Sequence, residues 1–355
     1  MAPAPAAAPA APSWKDLITV EGLADSYYQY NFTGGPGSTT GPIGQRNFDL
    51  NSNTFTLNYA KVAIGVNADP VGLRLDLGYG ATGTVINAAN PFDASSDPFL
   101  VQQAYATFAP VKGLTIDFGK FVTTAGAEVI EANKNWLYSR SIAFFNIPLL
   151  HTGFRASYKV NDMLSLQGSV VNGWNGVGIA PDVTGAKTYG VSANVTLPTG
   201  TNIVGTGYFG KNEAFFDTAT MMGAVSPDTR ILVDLVVAQT VGALGLNLNF
   251  DYIKDEGAGY NDTIAVSAMG RFAINDNVAL AARGEYWSNG GGPAGGDRVN
   301  QEEVTVGAAF PMGGRLELRA EVRADFADNA FPDKDGVAGA RSNQVTGTAA
   351  ALAWF

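Results

Sequence analysis

Charged residues recur at every second position along several stretches of this 355-residue sequence. In Leu316-Glu317-Leu318-Arg319-Ala320-Glu321-Val322-Arg323-Ala324-Asp325-Phe326 the carboxylates and guanidinium groups hold one phase and apolar residues the other. Leu73-Arg74-Leu75-Asp76-Leu77, Leu114-Thr115-Ile116-Asp117-Phe118 and Leu246-Asn247-Leu248-Asn249-Phe250-Asp251-Tyr252 repeat the pattern, and Arg155, Arg283 and Glu285 join the set. A period of two places each phase on one face of a strand. Such a polar face can line an aqueous space and order ions and water, or it can pair internally as a salt-bridge ladder.

Catalysis has little to work with. His151 is the single histidine, and Ser157 and Asn161, the partners a membrane hydrolase would need, follow at spacings common to any strand with one polar face. No catalytic residue is assigned, and His151 reads as a hydrogen-bonded anchor between a loop and a strand. One histidine and no cysteine exclude thiolate and most transition-metal ligand sets, and Asp251, Asp255, Glu256, Asn261 and Asp262 form only a loose oxygen cluster. Gly290 to Gly296 lacks the Gly-Lys-Ser/Thr of a phosphate loop. No metal or cofactor is expected, and a net charge of −10 argues against nucleic acid as a partner.

The elements that carry these faces are strands from end to end. Apolar residues make up 46% of the chain, yet no run is long enough for a spanning helix; Ile231 to Ala238 already contains Asp234. Short separators, at Asn67-Ala68-Asp69-Pro70, Pro110-Val111-Lys112-Gly113, Val160-Asn161-Asp162, Pro198-Thr199-Gly200, Val241-Gly242-Ala243, Ile274-Asn275-Asp276-Asn277 and Pro311-Met312-Gly313-Gly314, alternate with long ones. The long ones lie near 33–47, 87–98, 123–148, 174–186, 213–229, 256–261, 288–298 and 327–343. This alternation predicts an all-β transmembrane antiparallel barrel of about sixteen strands, with long extracellular loops, short periplasmic turns and both termini periplasmic. Arg or Lys facing hydrocarbon at the midplane costs about 2–4 kcal/mol, so the charged phase must face a lumen, and a barrel of that size leaves an aqueous channel. The 43 glycines, 13 tyrosines and 20 phenylalanines suit turns and interfacial girdles. Gln344 to Phe355 reads as the closing strand, with Trp354 and Phe355 as the closure and assembly signal. Residues 1–16 read as an Ala/Pro-rich periplasmic leader and 17–355 as the barrel.

The longest gap between strands, about 123–149, follows the fifth strand. Ala125 to Asn135 has helical propensity, which would set Glu128 and Glu131 on one helix face. Folded inward, this loop would narrow the lumen at Glu128, Glu131, Lys134 and Arg140, its acids facing wall arginines such as Arg74, Arg283, Arg319 or Arg323. The competing expectation is a surface loop with a solvated charged turn.

Several local sequences are also familiar. Asp25-Ser26-Tyr27-Tyr28-Gln29-Tyr30-Asn31-Phe32, Gly119-Lys120-Phe121 with Gly126 and Glu128, Asn135 with Tyr138-Ser139-Arg140-Ser141, Pro148 with His151-Thr152-Gly153 and Arg155, and Asn172-Gly173-Trp174-Asn175 together resemble the second "putative beta-barrel porin" family of Gram-negative bacteria. The resemblance is dense from about 18 to 180 and only architectural beyond. It departs at Ala353, two before the terminal Phe355, where outer-membrane strands prefer a bulkier residue. The resemblance implies an outer-membrane barrel and a general porin label. The expected function is passive, water-filled passage of small hydrophilic solutes, general or weakly cation-selective, with the third loop as constriction. The alternative is a structural or adhesion barrel whose lumen that loop blocks. Expected partners are outer-membrane lipid and lipopolysaccharide, the barrel assembly machinery, small polar solutes or ions and, by analogy, two further copies in a homotrimer.

Overall fold

The computed structural model describes residues 17–34, 41–42, 46–67, 70–88, 96–174, 186–211, 215–217, 222–224, 229–255, 262–290, 298–331 and 340–355. The leader, Asn175, Glu256, Asn261 and most of Gly290–Gly296 lie outside these residues. Sixteen antiparallel strands close into one barrel. They are β1 (Ile18–Asn31), β2 (Thr54–Asn67), β3 (Val71–Tyr79), β4 (Phe99–Val111), β5 (Leu114–Val122), β6 (Leu150–Lys159), β7 (Leu164–Asn172) and β8 (Lys187–Thr196). The second half is β9 (Asn202–Lys211), β10 (Thr229–Val241), β11 (Leu244–Asp255), β12 (Thr263–Asn275), β13 (Val278–Asn289), β14 (Val299–Met312), β15 (Leu316–Phe331) and β16 (Arg341–Trp354). Helices α1 (Ala81–Ala88) and α2 (Ile142–Asn146) lie in the second and third long connections.

The alternation that predicts the strands also sets their faces. On β11, Leu246, Leu248 and Phe250 are 45%, 55% and 38% exposed on the outside, whereas Asn249 and Asp251 between them are 5% and 1% exposed within. The outer face is therefore apolar over its full height, as lipid requires. Exposed aromatic residues mark both ends of that band: Phe108, Tyr158, Phe272, Phe310 and Phe355 toward the short turns, and Tyr30, Tyr79, Phe99, Tyr189, Tyr286 and Phe326 toward the long loops. The seven short connections fall at the separators read from the sequence. In one of the three two-residue turns, Gly242-Ala243, Gly242 takes φ of 58°, a conformation a side chain disfavours.

The seam joins β1 to β16 with Leu23 opposite Trp354 and Asn31 opposite Thr346. Gly22 and Phe355 complete it with two reciprocal backbone hydrogen bonds, each 3.1 Å. A methyl group on Gly22 would lie 2.1 Å from Phe355 Cε1, so the terminal ring covers that glycine on the lipid side. Trp354, on the opposite phase, turns inward and packs beside Leu23.

Candidate functional site in the barrel lumen

Residues 123–149 leave the wall at the long-loop end of β5 and rejoin it at the same end of β6, with Thr123 N–H donating to Leu149 O at 3.0 Å. Between those points the chain has little regular structure, so its backbone groups need partners from elsewhere. The inner wall supplies them. Glu321 on β15 accepts from Tyr138 N at 2.8 Å and Ser139 N at 3.3 Å. Glu285 on β13 accepts from Ile142 N and Ala143 N, both at 2.6 Å, while Ser141 Oγ caps the same short helix by accepting from Phe144 N at 3.0 Å. Arginines take the carbonyls: Arg319 donates to Ala132 O at 2.9 Å and Leu137 O at 3.1 Å, Arg323 to Arg140 O at 2.6 Å, and Arg283 to Ser139 O at 2.8 Å. Asn249 Oδ1 on β11 accepts from Ala127 N at 3.2 Å, and Thr206 on β9 donates to Thr124 O at 3.2 Å.

The two loop glutamates diverge. Glu128 pairs with Arg283 at 3.0 Å and also accepts from Ser141 N at 2.8 Å, whereas Glu131 pairs with Lys61 on β2 and accepts from Gln102 on β4 at 3.1 Å. The expected helical turn over Ala125–Asn135 does not form; only Ala132–Lys134 makes a turn of 3-10 helix. Gly126 takes φ of 87°, and Val129 N–H donates to the Asn135 side chain at 2.9 Å rather than to a backbone carbonyl one turn back. Wall contacts override local propensity here. Burial alone would raise the Glu131 pKa, but Lys61 and then Lys134 pull it below its ordinary value of 4.5. Arg140 does not face an acid: it donates to Val129 O at 3.0 Å and to Ile130 O and Tyr138 O, and lies over the Phe48 ring at 5.5 Å. Lys134 is exposed.

The remaining inward charges form compact groups. Arg283 and Glu303 pair at 2.7 Å, Arg319 and Glu317 at 2.5 Å, and Arg323 and Asp325 at 2.7 Å, all buried. Arg74 bridges Glu21 at 3.1 Å and Asp76 at 2.5 Å, and Asp76 also meets Lys61 at 2.7 Å. Arg155 pairs with Asp117 at 2.7 Å and lies 4.4 Å over the Phe121 ring. Asp251 sits opposite Asp234 on the neighbouring strand, with Asn249 donating to Asp234 at 2.9 Å. A second inward segment, Arg46–Asp49, lies above the loop: Arg46 pairs with Asp49 at 2.9 Å and Asp325 at 3.5 Å, and Phe48 packs on Phe144 with ring centroids 6.0 Å apart. Tyr138 ties the loop to the seam by donating to Asp25 at 2.8 Å, with Asn58 donating to both at 2.9 Å.

The inner faces of β6 to β9 differ. Ser157, Gln167 and Ser192 are partly exposed, and Ser165 and Asn194 are exposed. The loop reaches this side mainly at its neck, where Thr123 and Thr124 lie 3.4 Å and 3.3 Å from Tyr208 Oη.

A family profile described as "Putative beta-barrel porin-2, OmpL-like" matches residues 17–355, the whole barrel. The chain belongs to that family. The match extends well past residue 180, where the local resemblance thins. This porin-family chain also shares its fold with solved outer-membrane barrels: OmpT of Vibrio cholerae in trimer form (13% identity, TM-score 0.61, 95% of this chain and 99% of that one), OprB of Pseudomonas putida (10%, 0.62, 95% and 94%) and an anion-selective porin from Comamonas acidovorans (10%, 0.59, 95% and 99%). No curated protein matches it. Family and fold together make it an integral outer-membrane β-barrel of porin type, a channel fold rather than an enzyme fold.

Other features of this porin differ from the sequence reading. His151 is not a hydrogen-bonded anchor. It is fully buried, neither ring nitrogen has a hydrogen-bond partner, and it stacks on Tyr208 with centroids 4.7 Å apart. Ser157 accepts from Gln167 at 3.0 Å and Asn161 accepts from Met163 N and Leu164 N in the β6–β7 turn, so the three do not assemble a hydrolase site. Among the described residues no group of three His, Cys, Asp or Glu side chains is placed to hold a metal. Lys61, Asn249 and Asp25 hold the loop through contacts that sequence reasoning missed. Their inward phase was available as a signal, but not their partners.

Proposed function

We propose that this outer-membrane barrel is a passive, water-filled channel for small hydrophilic solutes, general or weakly cation-selective, with its third loop as the constriction. The observation that carries the reading is the contrast around the lumen: the loop is bonded to β11, β13, β15, β1 and β2, while polar side chains on β6 to β8 stay partly exposed. A loop fixed to one side leaves the opposite side for water. Glu128 with Arg283 and Glu131 with Lys61 then set opposite charges across the narrow level, a field that favours polar solutes over apolar ones. The wall charges chiefly hold the loop, and the groups nearest the water are Arg74, Arg155 and Lys134.

The short-turn end, where β1 begins and β16 ends, is the periplasmic end in this reading, with the leader on that side. The aromatic-girdled band meets lipid and lipopolysaccharide, and β16 with Phe355 is the segment that the assembly machinery would engage. The trimer form of OmpT supports a homotrimer. The net charge of −10 supports mild cation preference, in contrast to the anion-selective relative. One observation favours a blocked structural barrel instead, the burial of the charged wall beneath the loop. Planar-bilayer recording decides between them: folded protein should give ohmic steps with modest cation preference, and folded protein without conductance would establish the blocked barrel.

A further inference from the structure

The inward positions of β7, β8 and β9 carry no Asp, Glu, Lys or Arg, in a lumen otherwise crowded with them. At one level the residues stand directly opposite one another across four strands: Ser157 faces Gln167, Gln167 faces Ser192, and Ser192 faces Thr206. Gln167 Nε2 donates to Ser157 Oγ at 3.0 Å, and the Ser192 and Thr206 hydroxyls are 3.1 Å apart. That pairing pre-orients the row while leaving Gln167 a second N–H and its carbonyl oxygen. One level toward the short turns, Asn202 donates to Asn194 at 2.7 Å, extending the same uncharged chemistry.

Hydroxyl and amide groups both donate and accept, so they can exchange their water for the hydroxyls of a solute without uncovering a charge. An ion gains no counter-charge from Gln167, Ser192 or their inward neighbours on β7 and β8 and would give up hydration there for nothing comparable. We propose that the Ser157–Gln167–Ser192 row, anchored at its end by the buried Thr206, is the solute-contact site of the channel and takes uncharged polyhydroxylated solutes, sugars and polyols, in preference to charged ones. The proposal rests on the reading of the protein as an open channel.

The test is full-length protein in planar bilayers carrying potassium current, titrated with sucrose and, separately, with lactobionate, an anionic disaccharide acid of similar size. Sucrose should interrupt the current at concentrations where lactobionate does not. Gln167→Leu combined with Ser192→Ala should weaken the sucrose effect, read as the fraction of the variant's own open-channel current that is interrupted, about fivefold or more, the factor expected from losing a hydrogen bond or two. Lys159→Gln, at an exposed inward position outside the row, should leave it intact. Equal effects of the two solutes, or an unchanged sucrose effect in the double variant, overturns the site while the channel reading stands. No potassium conductance from a barrel shown to be folded overturns both.

Discussion

Two halves of the inner wall do different work. From β11 through the seam to β2 the inward phase is rich in charge, and those charges are buried: Arg283 and Arg323 are 2% and 1% exposed, Glu303 1%. From β7 to β9 the inward phase is mostly serine, threonine, asparagine and glutamine, and on β7 and β8 much of it is partly exposed. An irregular segment inside a barrel has many backbone groups to satisfy, and ionised side chains make the strongest hydrogen bonds to them. The charged half is therefore where the loop is held, and the uncharged strands keep more of their polar side chains exposed. Charge along a strand predicts an inward face; it does not by itself predict contact with the solute.

The largest expected effect comes from removing the part of the loop that carries both glutamates. Deleting residues 126–134 should raise single-channel conductance and reduce selectivity in a barrel that still shows heat-modifiable mobility; unchanged conductance would place the loop outside the path. Next, Arg283→Ala leaves Glu128 and Glu303 buried without their counter-charge, a loss of about 3–5 kcal/mol for breaking a buried pair. The urea unfolding midpoint should fall and open-channel noise rise. Gln167→Ala on the uncharged half, where no buried charge is stranded, should move the midpoint far less. Glu128→Gln with Glu131→Gln should lower cation preference, read as a shift in reversal potential under a salt gradient, without widening the pore. The smallest effect is one of pH. Glu131 is held below 4.5, so its contact with Lys61 is complete at and above that value and is lost only as pH falls through the lowered one. Replacing Glu131 by Gln should accordingly leave the shape of the conductance–pH profile unchanged from neutral pH down to the ordinary carboxylate range.

How much of this was legible differs between the barrel and its contents. Strand positions, the short turns and the inward phase follow from alternation and turn residues, which act locally; Leu246 to Tyr252 could adopt no other orientation in lipid. The third loop announced itself by length, but its path did not. Ala125 to Asn135 reads as helix from most of its residue types, and Asn249 and Arg319, far along the chain, draw its backbone elsewhere. Arg46 is further from reach of sequence reasoning, since its partners Asp325 and Thr346 come from the last two strands. The roles of Trp354 and Phe355 separated only once the register put one ring inside and the other across Gly22.

The central claim, that solute passes along β6 to β9 while the opposite wall is sealed by the loop, is most directly tested by cysteine accessibility. The chain has no cysteine of its own, which makes each introduced thiol unique. Ser192→Cys and Ser157→Cys should react rapidly with a water-soluble cationic thiosulfonate and step the current down, whereas Thr305→Cys and Ala281→Cys, buried on β14 and β13, should not react in the folded channel. Comparable reactivity on the two walls, or reaction at β13 and β14 with none at β6 and β8, would contradict it.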